Sequence, residues 1–174
     1  MGGPGERTGE NSLGGGPQAT ADLMDDFDPN RRACRLVLRH FGGKRSTSGI
    51  IRTVLCCEDN ALVGSVLREK GDGRILVIDG DGSTASALVG DAITAVAIEN
   101  GWNGIVVNGA VRDAAAIAEL PIVVLALGTN PTRSTKDGWG FVDVPVQFGR
   151  VTFAPGARAW IDDDGLVVEL ATTG

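Results

Sequence analysis

Residues 74–127, RILVIDGDGSTASALVGDAITAVAIENGWNGIVVNGAVRDAAAIAELPIVVLAL, decide the fold. Three short apolar stretches within them, Arg74–Asp79, Gly104–Asn108 and Ile122–Leu127, have the length and β-branched content of buried strands. The segments between them read as helices, Asp91–Asn100 ended by Asn100-Gly101, and Arg112–Leu120. Alternation of this kind predicts an α/β core.

The same alternation extends upstream. Ile50–Cys57 is a β-branched run, and Asp59-Asn60 introduces a helix through Glu69 whose apolar face is Leu62, Val63, Val66 and Leu67. Nearer the start, Thr20 caps a short helix rich in Asp that Asp28-Pro29 breaks. Arg32, Arg35 and Arg39 recur at helical spacing with Lys44 and Arg45 beyond them, a basic face that is either solvated or meets a partner. His40 sits at an expected helix end. Downstream, Val142–Phe148, Val151–Ala154, Arg158–Asp162 and Leu166–Leu170 read as strands of hairpins, a partly antiparallel sheet layered on the α/β unit. Residues 1–19, rich in Gly, Pro and polar residues, read as a disordered tail, and 20–174 as a single domain.

Composition narrows the chemistry. A chain of 174 residues, 43% hydrophobic and 22% charged, is an ordinary globular protein. No apolar run is long enough for a membrane helix, no secretory signal is expected, and the cytoplasm is the expected compartment. The net charge of −6 argues against general nucleic-acid binding. Three cysteines, Cys34, Cys56 and Cys57, cannot all pair and are expected reduced. The single His excludes a His-cluster metal site and disfavours a His-dependent triad. What remains is chemistry by carboxylates, Arg or Lys, backbone amides, or a metal held mainly by oxygen.

Two turns that follow apolar strands carry suitable groups. In Gly90-Asp91-Ala92-Ile93 a glycine admits close approach, and the amides at a helix start form a cradle for a carboxylate or phosphate; the plain alternative is a helix cap. In Asn108-Gly109-Ala110-Val111-Arg112-Asp113 an Arg can clamp an anion and an Asp can hold a divalent cation; the plain alternative is a structural ion pair. Gly80-Asp81-Gly82-Ser83 lacks the Lys of a phosphate-binding loop, and Asp162-Asp163-Asp164-Gly165 reads as a hairpin turn rather than a calcium loop.

Phe41-Gly42-Gly43, Cys57-Glu58-Asp59-Asn60, Leu76-Val77-Ile78-Asp79-Gly80, Gly101-Trp102-Asn103-Gly104, Asn108 to Asp113, and Gly149-Arg150-Val151-Thr152-Phe153 occur in the order seen in RraA-like proteins. The chain resembles that family over about residues 20–170. The family joins regulators of ribonuclease activity A with class II aldolases acting on 4-hydroxy-4-methyl-2-oxoglutarate. The resemblance implies a three-layer ββα sandwich of the swivelling phosphohistidine-domain type, assembled as a homotrimer with sites between subunits.

The aldolase members carry an Asp, twenty residues, Arg-Asp, two residues, then Glu or Asp. Here Asp91, twenty residues and Arg112-Asp113 match, whereas the last position is Ala116. The resemblance implies that Gly90, Asp91, Ala92, Ile93 and Arg112 bind substrate, that Arg112 and Asp91 are catalytic, and that Asp113 binds Mg²⁺ or Mn²⁺. The expected activity is pyruvate-enolate chemistry on small 2-oxo acids, with oxaloacetate decarboxylation surviving the loss at Ala116 better than aldol cleavage. The alternative is a non-catalytic regulator that binds and inhibits ribonuclease E. A menaquinone methyltransferase is not expected, because no glycine-rich S-adenosylmethionine fingerprint follows an early strand.

Overall fold

The computed structural model describes residues 18–170, so residues 1–17 of the expected tail and 171–174 of the expected domain lie outside the described residues. The elements are α1 (Thr20–Asp25), β1 (Arg31–Ala33), β2 (Arg39–His40), β3 (Thr47–Leu55), α2 (Ala61–Leu67), β4 (Ile75–Asp79), β5 (Ala87–Val89) and α3 (Asp91–Glu99). They continue with β6 (Gly104–Val111), α4 (Ala114–Ala118), β7 (Val123–Thr129), β8 (Phe141–Val142), β9 (Val146–Phe148), β10 (Val151–Phe153), β11 (Arg158–Ile161) and β12 (Leu166–Glu169).

The nine-residue strand β3 joins two kinds of pairing. Its first half, Thr47–Ile50, pairs antiparallel with β11, while Ile51–Leu55 pairs parallel with β4. From there β4, β6 and β7 continue in parallel, and β12 and β1 extend the antiparallel side. Strict alternation along the parallel strands divides the core. Leu76, Ile78, Ile105, Val107 and Val124 face the apolar cluster built with α2 and α3. Ile75, Val77, Val106, Val123 and Leu125 face the opposite way, onto Val146, Phe148, Phe153 and Ile161. The α/β fold read from the sequence is therefore present, with a sheet carrying few helices.

Several boundaries differ from the sequence reading. Arg32, Arg35 and Arg39 lie on no helix: Arg32 belongs to β1, and Arg39 with His40 forms β2, so helical spacing there is coincidence. From Ala33 to His40 exposure alternates residue by residue, the mark of an extended ribbon. Cys34, Leu36 and Leu38 turn inward. Thr20 is not a cap either; its hydroxyl donates to Asp162 Oδ1 at 2.6 Å, and Ala19 holds the cap position. The third helix shrinks to α4 because Asp113 takes a left-handed conformation (φ 57°) and stops the helix ahead of it, while β6 runs on to Val111. Asp162 Oδ1 accepts the Asp164 amide at 2.9 Å in the β11–β12 hairpin, as a tight turn requires.

Candidate functional site

Strand β5 leads through Gly90 into α3, and β6 leads through Arg112-Asp113 into α4. The two strands are parallel neighbours, so both turns leave the same end of the sheet, where α/β proteins assemble their sites. The Arg112 amide donates to the Val89 carbonyl at 2.9 Å, which fastens one turn to the other. A cleft of about 530 Å³ opens there, and Gly90, Asp91, Ala92, Ile93, Arg112 and Asp113 all line it. Every site residue expected from the sequence is thus brought to one place.

Arg112 Nε donates to Asp113 Oδ2 at 3.2 Å, and its Nη1 reaches the Pro131 carbonyl at 3.5 Å. The Arg112 hydrogen bond, helped by its charge and by the Asp91 amide, holds the Asp113 carboxyl below the usual carboxylate range. Asp113 is therefore an anion throughout the neutral range. Gly90 has an ordinary φ of −127°, so contact rather than conformation excludes a side chain: a Cβ would stand 2.9 Å from Asp113 Oδ2 and 3.4 Å from Arg112 Cγ. The amide cradle is narrower than the sequence suggests. Asp91 Oδ1 accepts the Ala92 amide at 2.7 Å, leaving the Ile93 amide as the one without a partner among the described residues.

The far wall comes from residues that sequence reasoning missed. Arg68, Arg133, Ser134, Lys136 and Asn60 also line the cleft. Their signal was available in part, since 130–138 is a polar loop following an apolar strand, the position at which sites form. Asp59, fully buried, holds that loop. Its carboxylate accepts the amides of Ala61, Asp137 and Gly138 at 3.0, 2.7 and 3.0 Å. Burial pushes its pKa up, yet the amides of Ala61, Asp137, Trp139 and Gly138 outweigh burial and hold it below the ordinary value. Asn60 Oδ1 is buried beside the cleft with no hydrogen-bond partner.

Among the described residues no group of three or more His, Cys, Asp or Glu converges on a point. Asp91 and Asp113 nevertheless fit a hard cation such as Mg²⁺, which takes one or two carboxylates and fills its remaining positions with water and substrate oxygens. No thiol is among the residues lining the cleft. All three cysteines are free, and burial pushes the Cys56 thiol up to about 12.

These features define an α/β protein with a cleft lined by Arg, Lys and Asp side chains at the end of a parallel sheet. The chain belongs to the RraA-like family: the Aldolase/RraA family model matches residues 20–168. It is similar to a Geobacillus kaustophilus HTA426 structure described as S-adenosylmethionine:2-dimethylmenaquinone methyltransferase, at 43% identity and a TM-score of 0.86 over 90% of this chain and 97% of that one. It is equally similar to the RNA-processing inhibitor RraA from Thermus thermophilus, at 42% identity and a TM-score of 0.85 over 90% and 96%. Streptomyces coelicolor RraAS2, described as an unusual member of the RNase ES inhibitor RraA protein family, matches at 31% identity and a TM-score of 0.68 over 81% and 73%.

Proposed function

We propose that this chain is a divalent-metal-dependent carbon–carbon lyase that releases pyruvate from small 2-oxo acids, decarboxylating oxaloacetate more readily than it cleaves 4-hydroxy-4-methyl-2-oxoglutarate. One observation carries the reading: Gly90–Ile93, Arg112 and Asp113, distant in sequence, meet in a single cleft fastened by the Arg112–Val89 hydrogen bond. The substrate carboxylate rests at the start of α3 against the Ile93 amide and the positive end of the helix. Arg112 holds the 2-oxo oxygen and stabilises the charge that develops there as the enolate forms. Asp113 would hold Mg²⁺ or Mn²⁺, with Asp91 beside it. Such an ion, when bound, supplies Lewis-acid charge to the 2-oxo group. Asp91, which lines the same cleft, is read as the second catalytic residue. Aldol cleavage must take a proton from the 4-hydroxyl, whereas decarboxylation does not, and Ala116 cannot supply the missing base.

The three-layer ββα arrangement in this reading is supported by the two apolar clusters on opposite faces of the parallel strands. The homotrimer rests on the family likeness, and Trp139 and Phe141, 73% and 64% exposed, are surface it would cover. The cytoplasm suits three free thiols. No helix among the described residues is long and apolar enough to cross a membrane. A second reading, the non-catalytic regulator that inhibits ribonuclease E, is favoured by Ala116 and by the two relatives described as inhibitors of RNA processing and of RNase ES.

Pyruvate release from both substrates with Mg²⁺, with EDTA and with Asp113→Ala decides between them. Metal-dependent turnover lost in the variant supports the lyase. Turnover no faster than free metal, together with slowed ribonuclease E cleavage of RNA when the protein is added, supports the regulator.

A further inference from the structure

The cleft carries more positive charge than a simple 2-oxo monoacid requires. Arg68, Arg112, Arg133 and Lys136 line it against only Asp91 and Asp113, in a chain whose net charge is −6. Among the described residues Arg68 forms no ion pair; its Nη1 donates to the Gly64 carbonyl at 2.8 Å, one turn back on its own helix. Gly64 leaves the space that the fold-back occupies: a Cβ there would stand 2.9 Å from Arg68 Nη1, and the guanidinium end would have to shift. That Cβ would also lie 4.0 Å from Ile93 Cδ1, which sets Gly64 level with Ile93 on α3.

Helices α2 and α3 each lead into parallel strands on the same face of the sheet, so they run side by side in one direction. The Arg68 guanidinium, held at the Gly64 carbonyl beside Ile93, therefore lines the same cleft as Gly90 and Arg112. A ligand that fills this cleft meets one guanidinium at Arg112 and a second at Arg68.

Resting on the proposed lyase reading, we infer that Arg68 is a specificity-determining residue, folded into the cleft by the absence of a side chain at Gly64, that selects 2-oxo acids bearing a distal carboxylate. The probes are 2-oxoglutarate and 2-oxopentanoate, which have equal chain length and differ by a carboxylate in place of a methyl. Both are titrated calorimetrically into the full chain with Mn²⁺ present. The wild type is expected to favour 2-oxoglutarate by about tenfold, the scale of one exposed charge-assisted contact. Arg68→Ala removes that preference by weakening 2-oxoglutarate alone, Gly64→Ala shifts it in the same direction, and Arg68→Lys restores part of it. Equal binding of the two acids by the wild type, or equal weakening of both by Arg68→Ala, overturns the role of Arg68 and leaves the lyase standing. A wild type that binds neither acid overturns the role of Arg68, and pyruvate release no faster than with free metal overturns the lyase as well.

Discussion

At Gly90 the absence of one carbon holds the site together. The Cβ of an alanine would press on Asp113 Oδ2 at 2.9 Å, while the backbone at φ −127° accepts any residue. Gly90→Ala should therefore fold with little loss of stability yet turn over at least tenfold more slowly, because a shift of tenths of an ångström separates Asp113 from Arg112. A melting temperature near the wild type alongside unchanged turnover would refute this. Asp59 behaves in the opposite sense, since it is buried and its effect is on folding. Asp59→Ala leaves the amides of Asp137 and Gly138 without acceptors and should cost roughly 2–4 kcal/mol. Because the folded pKa lies below the ordinary value of about 3.9, the stabilisation is present above that pH and is lost as pH falls through the folded value. The gap between wild type and variant in urea should be full from pH 7 to 5 and shrink below about pH 4. A gap that widens in acid would mean that Asp59 is protonated in the folded protein.

The elements differ in how plainly they can be read. Strands β4, β6 and β7 are apolar on both faces, so a run of Ile, Val and Leu identifies them without periodicity. The helix α3 is equally legible from Asp91 at its start and Asn100-Gly101, with Gly101 at φ 78°, at its end. By contrast, the extended stretch 32–40 places Arg32, Arg35 and Arg39 three and four residues apart, and spacing without apolar partners on one face cannot separate ribbon from helix. The start of α4 is hidden for another reason. Asp113 tolerates the left-handed conformation that ends β6's path and begins the helix, and nothing in the sequence around it announces the turn. The cleft shows the same division. Gly90, Asp91, Arg112 and Asp113 are readable because they sit at strand ends, while Arg68 enters from the last turn of α2 only through the fold-back over Gly64. Ala116 lies in α4, three residues beyond Asp113. Ala116→Glu should raise the ratio of aldol cleavage to decarboxylation by about tenfold or more, the low end of what a positioned base contributes. An unchanged ratio in kcat/KM for the two substrates would show that the base is supplied elsewhere.

Over the whole molecule two electrostatic effects compete for an anionic substrate. The chain carries −6 overall, which repels a dianion at long range, while Arg68, Arg112, Arg133 and Lys136 attract it at the mouth of the cleft. Distance decides between them. At an ionic strength of 0.1 M the screening length is about 10 Å, so surface carboxylates on the far side of an 18.0 kDa protein are largely screened, whereas the cleft cations lie within that length of a bound ligand. Raising salt from about 0.1 M to 0.5 M, which shortens the screening length well below 10 Å, removes mainly the attraction. The value of kcat/KM for oxaloacetate should therefore fall several-fold over that range, with kcat nearly constant, since the chemistry occurs where salt does not screen. Arg68→Ala should flatten the dependence, because it removes one of the cations that generates it. A rise with salt in the wild type would mean that the net charge governs capture, and the cleft cations would then have to act only after the substrate has arrived.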